Sequence, residues 1–154
     1  MTDRRPILIA HRGNLDGRQP DSENHPDYLN RAISDGFDAE ADLWKIGDRL
    51  FLGHDKPRHE VDREFLLRKA ARLWIHAKDL AALEEFARDE RFNVFCHRDD
   101  PRTLTTRGFV WTRSFDEDYD SHSIVLQLPF VDLVGTGFGG LCTNHPRRYR
   151  EILG

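Results

Sequence analysis

The sequence predicts an α/β fold, a compact (β/α)8 TIM-type barrel forming one domain over residues 1–154, with the helices of its second half reduced to loops. Three observations predict it. Eight short apolar runs follow one another along the chain. The first three carry or end in polar groups of catalytic type: Ile7–Ala10 runs into His11-Arg12-Gly13, Phe37–Trp44 holds Glu40 and Asp42, and Leu50–Gly53 runs into His54-Asp55. An α/β barrel presents its chemistry in this way, at the carboxyl ends of parallel strands. Helical spacing follows the first, third, fourth and eighth runs. A complete barrel usually takes about 250 residues, so a chain of 154 must shrink its later helices.

The first strand is Ile7 to Ala10, followed by a polar, turn-rich loop from Asn14 to Asn24. Pro26 suits the first turn of a helix that runs to Ser34, with Tyr28, Leu29, Ala32 and Ile33 as its apolar face and Gly36 ending it. The second strand is the Phe37–Trp44 stretch. Ile46-Gly47-Asp48-Arg49 is a hairpin-like turn into the third strand, Leu50 to Leu52. Asp62 caps a helix over Glu64 to Arg72, and Asp79 caps another through Arg88. Between them lies the fourth strand, Leu73 to Lys78. The fifth strand is Asn93 to His97, the sixth Phe109 to Thr112 and the seventh Ser123 to Leu128. The glycine-rich stretch Gly135 to Gly140 reads as a crossing loop, because it lacks the Gly-Lys-Ser/Thr of a nucleotide site. A short eighth strand, Leu141 to Asn144, precedes a final helix opened by Pro146 and running from Arg147 to Leu153.

Composition excludes several classes of function. The net charge is −4 with acids and bases interleaved, so neither nucleic acid nor an anionic membrane is predicted as a partner. No apolar run is long enough to span a bilayer. The N-terminus has basic residues without a following signal-type apolar region, which predicts a cytoplasmic protein. Cys96 and Cys142 lie in apolar runs and read as buried free thiols.

Strand alternation puts Glu40, Asp42 and Trp44 on one face and Ala39, Ala41 and Leu43 on the other. Two carboxylates side by side raise each other's pKa, an arrangement that a cation between them relieves. Oxygen ligands point to a hard divalent cation, Mg²⁺ or Ca²⁺. Alone, a Glu-x-Asp is most simply a solvated strand face, and its histidine-bearing surroundings shift the reading toward a site.

The motifs His11-Arg12-Gly13, Glu23-Asn24, Glu40-x-Asp42 and His54-Asp55, in this order, resemble the signature of the glycerophosphodiester phosphodiesterase family. The likeness is specific over residues 7–56. It continues more weakly through Trp74–Lys78 and Gly140–Pro146, and the whole chain resembles the short, compact branch of that superfamily. The resemblance implies a (β/α)8 barrel and metal-dependent hydrolysis of a small, glycerol- or sugar-linked phosphodiester. It implies Glu40 and Asp42 as metal ligands and His11 and His54 as the acid/base pair. Arg12, with Lys78 and Trp111, would bind substrate, a planar guanidinium suiting a phosphate oxygen pair. Either water or a neighbouring substrate hydroxyl would be the nucleophile.

Two departures stand out. Ser22-Glu23-Asn24-His25 keeps only the central pair of the family's Pro-Glu-Asn-Thr. His76 stands where the family places a third carboxylate, two residues before Lys78. His76 is then a nitrogen ligand, or a water takes its place, or metal affinity is lost. The last option favours a catalytically inactive barrel that binds a phosphorylated ligand. A zinc hydrolase built on His11, His54, His76 and His97 is a poorer reading, since the strongest pair is oxygen only. His97 reads equally as a pocket residue or a packed one, and Trp44 and Trp111 as pocket walls or core. His25, His59, His122 and His145 read as surface.

Overall fold

The computed structural model describes residues 5–113, 119–127 and 137–154. Seven strands run parallel in the order β6-β5-β2-β1-β10-β9-β8, where β1 is Ile7–His11, β2 Asp38–Ile46, β5 Leu73–Ala77, β6 Asn93–Phe95, β8 Val110–Thr112, β9 Ser123–Gln127 and β10 Gly140–Thr143. Antiparallel strands flank this core: β3 (Arg49–Leu52) pairs with β2, β4 (His59–Val61) with β3, and β7 (Arg102–Leu104) with β8.

The (β/α)8 barrel is therefore corrected. Among the described residues the fold is a curled mixed sheet, a half-barrel, with four short helices: α1 Pro26–Ser34, α2 Arg63–Lys69, α3 Leu80–Ala87 and α4 Pro146–Leu153. The physical reason lies in the connections. A parallel crossover takes a dozen or more residues, usually a helix, whereas Gly47 at φ 60° closes a tight turn that sends β3 back along β2. β5 occupies one edge of β2 over Ala39–Leu43, so β1 and β3 share the opposite edge. The run expected as the third barrel strand is thus a return hairpin. Likewise, residues 98–108 form β7 and a turn instead of a crossover helix. No ladder joins β6 to β7 among the described residues; Thr106 bridges them, with its N–H donating to the Val94 carbonyl (2.9 Å) and its Oγ1 accepting from the Val94 N–H (2.9 Å).

Two layers of apolar side chains follow from the alternation. Ala39, Ala41, Leu43, Ile75 and Ala77 pack outward beneath the helices with Leu29, Leu66 and Phe86. Ile9, Trp74, Phe95, Trp111, Ile124 and Cys142 fill the inside of the curl. Helix starts follow the caps read from sequence at Asp62 and Asp79, each accepting from a backbone N–H three residues on. α2 stops at Lys69, short of the Arg72 expected. Cys96 is exposed, not buried, because β6 ends at Phe95; Cys142 is buried as expected. Leu128, Gly135 and Thr136 lie outside the described residues. Among the described residues no helix is long and apolar enough to cross a membrane.

Candidate metal centre

Register assembles the centre. Parallel pairing sets His11 of β1 opposite Glu40 of β2, and Asp42 of β2 opposite His76 of β5. β10 flanks β1 with Ala10 opposite Thr143, which brings Asn144 beside His11. Glu40, Asp42 and His76 are all buried, and each offers a ligand atom within 4.8 Å of the others. Three neighbouring strands, β1, β2 and β5, thus deliver side chains to one end of the curl, lining a cleft of about 510 Å³.

Asp42 is the hub. Its Oδ2 accepts from Asn24 Nδ2 (2.9 Å) and lies 3.3 Å from His54 Nδ1, while its backbone N–H donates to Asn24 Oδ1 (2.9 Å). Its Oδ1 is buried and has no hydrogen bond, although His76 Nδ1 stands 3.0 Å away, off the line a bond would need, and Lys78 Nζ 4.0 Å away. Burial opposes the charge on Asp42, but contacts from His54 and His76 outweigh it and hold the carboxyl well below the usual range. Glu40 behaves oppositely. Burial, and then the charge of Asp42, push it well above the usual range, against the pull of Arg12.

This donor set fits a divalent cation. A buried carboxylate oxygen without a hydrogen bond, an imidazole nitrogen 3.0 Å from it and a second carboxylate whose ionisation is suppressed all gain from a cation among them. Glu40, Asp42 and His76 would hold it. Six-coordinate hard ions need more oxygens than these three residues offer, leaving positions for water or substrate.

The His-Arg-Gly turn is built around backbone geometry. Arg12 and Asn24 are the two non-glycine residues with positive φ among those described, at 54° and 65°, and both touch the centre. Such strain persists where surrounding bonds over-determine it. The Arg12 N–H donates to Glu40 Oε2 (3.1 Å), its Nη1 donates to Glu23 Oε2 (3.0 Å), and its Nε lies 3.4 Å from Asp42 Oδ2. Gly13 follows at φ 85°, where a Cβ would come within 2.9 Å of Tyr28 Cδ1. Glu23 also accepts from Asn14 Nδ2 (3.2 Å) and Arg18 Nε (3.0 Å), so the Glu-Asn pair read from sequence serves two purposes: Glu23 anchors Arg12 and Asn24 clamps Asp42.

His11 and His54 flank the centre differently. His11 Nδ1 lies 2.9 Å from Asn144 Oδ1, which also accepts from Asn14 Nδ2 (3.0 Å). With Asn144 Oδ1 as acceptor, Nδ1 carries the proton and Nε2, 3.9 Å from Glu40 Oε2, carries the lone pair. Burial, reinforced by Arg12, lowers the His11 pKa to about 4. His54 is more open and arrives on the return hairpin, where the Gly53 N–H donates to the Asp42 carbonyl (3.1 Å) and Trp44 Nε1 donates to the Gly53 carbonyl (2.7 Å). Trp44 therefore fixes the His54 loop and does not line the cleft. Trp111 does line it, though almost wholly buried, with its ring stacked on Phe95 at 4.2 Å. Lys78 faces the same cleft.

His97 lines the cleft and stacks on His76, ring centroids 4.8 Å apart and 7° from parallel. His25, with 45% of its side chain exposed, and His122 lie at the surface as expected, while His59 and His145 are half-buried. Sequence reading missed the roles of Asn14, Asn24 and Asn144. Their one legible signal is placement beside strand ends and motif residues, since amide side chains bonding across 130 positions leave no local pattern. No family model, no curated protein and no solved structure matches this chain.

Proposed function

We propose that this protein is a divalent-cation-dependent phosphodiesterase acting on a small phosphodiester. The observation that carries the reading is Asp42 Oδ1, buried and unbonded between His76 Nδ1 and Lys78 Nζ, with Glu40 alongside and two histidines above. A cation held there supplies charge for the non-bridging oxygens of a phosphoryl transition state. Arg12 is held by Glu23 and set against Asp42, and its fork adds hydrogen bonds to the same oxygens.

His11 is the general base. Its Nδ1 is engaged by Asn144, so Nε2 accepts the proton of the attacking hydroxyl as the P–O bond forms. His54 is the general acid, donating a proton to the departing alkoxide as the second P–O bond breaks. Its ring nitrogens face Asp42 Oδ2 at 3.3 Å and Asp55 Oδ1 at 3.8 Å, so a protonated ring has an acceptor for the N–H it keeps. Burial keeps the His11 ring neutral, as a base requires.

The test is hydrolysis of bis(p-nitrophenyl) phosphate with Mg²⁺, Ca²⁺ or Mn²⁺, alongside calorimetric titration of each metal. Metal-dependent release of nitrophenol that chelation abolishes supports the reading. Metal binding without turnover makes the protein a binder of phosphorylated ligands, and absence of metal binding overturns both.

A further inference from the structure

The cleft extends in two directions from His11, Arg12 and His54. One lobe, of about 510 Å³, runs past Trp111 to His97, Arg98 and Arg113; the other, of about 560 Å³, runs out to Arg18 and His145. A phosphoryl group seated over the histidines has room on both sides, which suits a diester with two alcohol groups.

The lobes differ in charge. Arg18 is engaged by Glu23 at 3.0 Å. Arg98 and Arg113 have no carboxylate partner among the described residues. Arg113 donates through Nη1 to the Arg98 carbonyl (3.0 Å) and through its N–H to the Pro101 carbonyl (2.9 Å), which pins it to the 98–101 loop at the cleft wall. Lys78 faces this lobe with its Nζ 4.0 Å from Asp42 Oδ1, and the acids lining the lobe are Glu40 and Asp42 of the metal centre and Asp99. Beside them His97 Nδ1 is buried with no hydrogen-bond partner. Exposed arginines are ordinarily solvated, but the chain has a net charge of −4, so a basic wall here is not inherited from a basic composition. Arg98 and Arg113 thus leave two guanidinium forks without a carboxylate partner at this end of the cleft, and such forks match the oxygens of a phosphate monoester.

Building on the phosphodiesterase reading, we propose that one alcohol of the substrate carries a second phosphate, a monoester bound by Arg98 and Arg113 with Lys78 alongside. The Arg98/Arg113 lobe is thus the specificity end of the cleft, and the Arg18/His145 lobe takes the uncharged alcohol.

Calorimetry on the full chain with Mg²⁺ tests this, using propyl phosphate, propanediol bisphosphate, longer diol bisphosphates and a carboxyalkyl phosphate as probes. The wild type should bind at least one bisphosphate about tenfold or more tightly than propyl phosphate, as charge-assisted pairs warrant. The Arg98→Ala/Arg113→Ala variant alters two exposed side chains and should lose that advantage while binding propyl phosphate as before. A bisphosphate advantage that is absent, or that survives the double substitution, overturns the proposal, as does a carboxyalkyl phosphate binding equally well. Hydrolysis of bis(p-nitrophenyl) phosphate is read in parallel. A bisphosphate advantage without hydrolysis removes the phosphodiesterase and leaves the phosphate subsite; hydrolysis without the advantage does the reverse.

Discussion

Asn24 offers the sharpest test of how the centre is held. Its side chain makes two hydrogen bonds to one residue, donating to Asp42 Oδ2 and accepting from the Asp42 N–H, both at 2.9 Å, and its backbone is left-handed at φ 65°. A bond to a charged group contributes about 1.5–3 kcal/mol and a neutral one about 0.5–1.5 kcal/mol. Asn24→Gly removes both bonds but tolerates the backbone, which returns up to about 1 kcal/mol. Asn24→Ala loses the bonds and keeps the backbone cost. The Ala variant should therefore be destabilised by about 3 kcal/mol, and the Gly variant by about 1 kcal/mol less. Urea unfolding followed by tryptophan fluorescence measures both. An Ala variant within about 0.5 kcal/mol of the wild type, the range of an ordinary surface change, would refute the clamp. A Gly variant no more stable than Ala would refute the backbone share.

Two further outcomes are expected. Replacing His11 or His54 by Ala should each lower turnover of an activated phosphodiester by about two to four orders of magnitude, with calorimetric metal affinity retained; wild-type rates in both would make these histidines structural. Asp89, held by Arg91 (2.7 Å) and Arg63 (2.5 Å), has its pKa lowered by the Arg91 bonds first, against burial and with help from Arg63. Its folded pKa lies below its unfolded value, so its stabilisation is present above about pH 4 and fades as pH falls further. The stability gap between wild type and Asp89→Asn should shrink on acidification from about pH 6 to pH 2, and a gap independent of pH would contradict this.

Much of the centre was legible because its signal is local. Alternation alone sets Glu40 and Asp42 on one face, with Ala39, Ala41 and Leu43 on the other, and the small residues are what the helix layer packs against. Asp62 and Asp79 announced their helices by the same short-range chemistry. The closure of the sheet was not legible. The Ile46–Arg49 turn reads as a hairpin, yet only pairing with β2 reveals that Leu50–Leu52 runs backward. His59–Val61 and Arg102–Leu104 have no apolar alternation and become strands solely by lying against β3 and β8. Asn24 and Asn144 act across the fold, through partners 18 and 133 residues away, so their roles appear only in three dimensions.

The proposed divalent ion is held by two carboxylates and one imidazole, those of Glu40, Asp42 and His76. Electron spin echo envelope modulation of the protein loaded with one equivalent of Mn²⁺ tests it most directly, because a directly bonded nitrogen imprints its own modulation on the metal signal. The wild type should show ¹⁴N modulation, His76→Ala should lose it with Mn²⁺ still bound more weakly through Glu40 and Asp42, and Asp42→Ala should lose the bound ion. Bound Mn²⁺ with no nitrogen modulation, or modulation that survives His76→Ala, would contradict it.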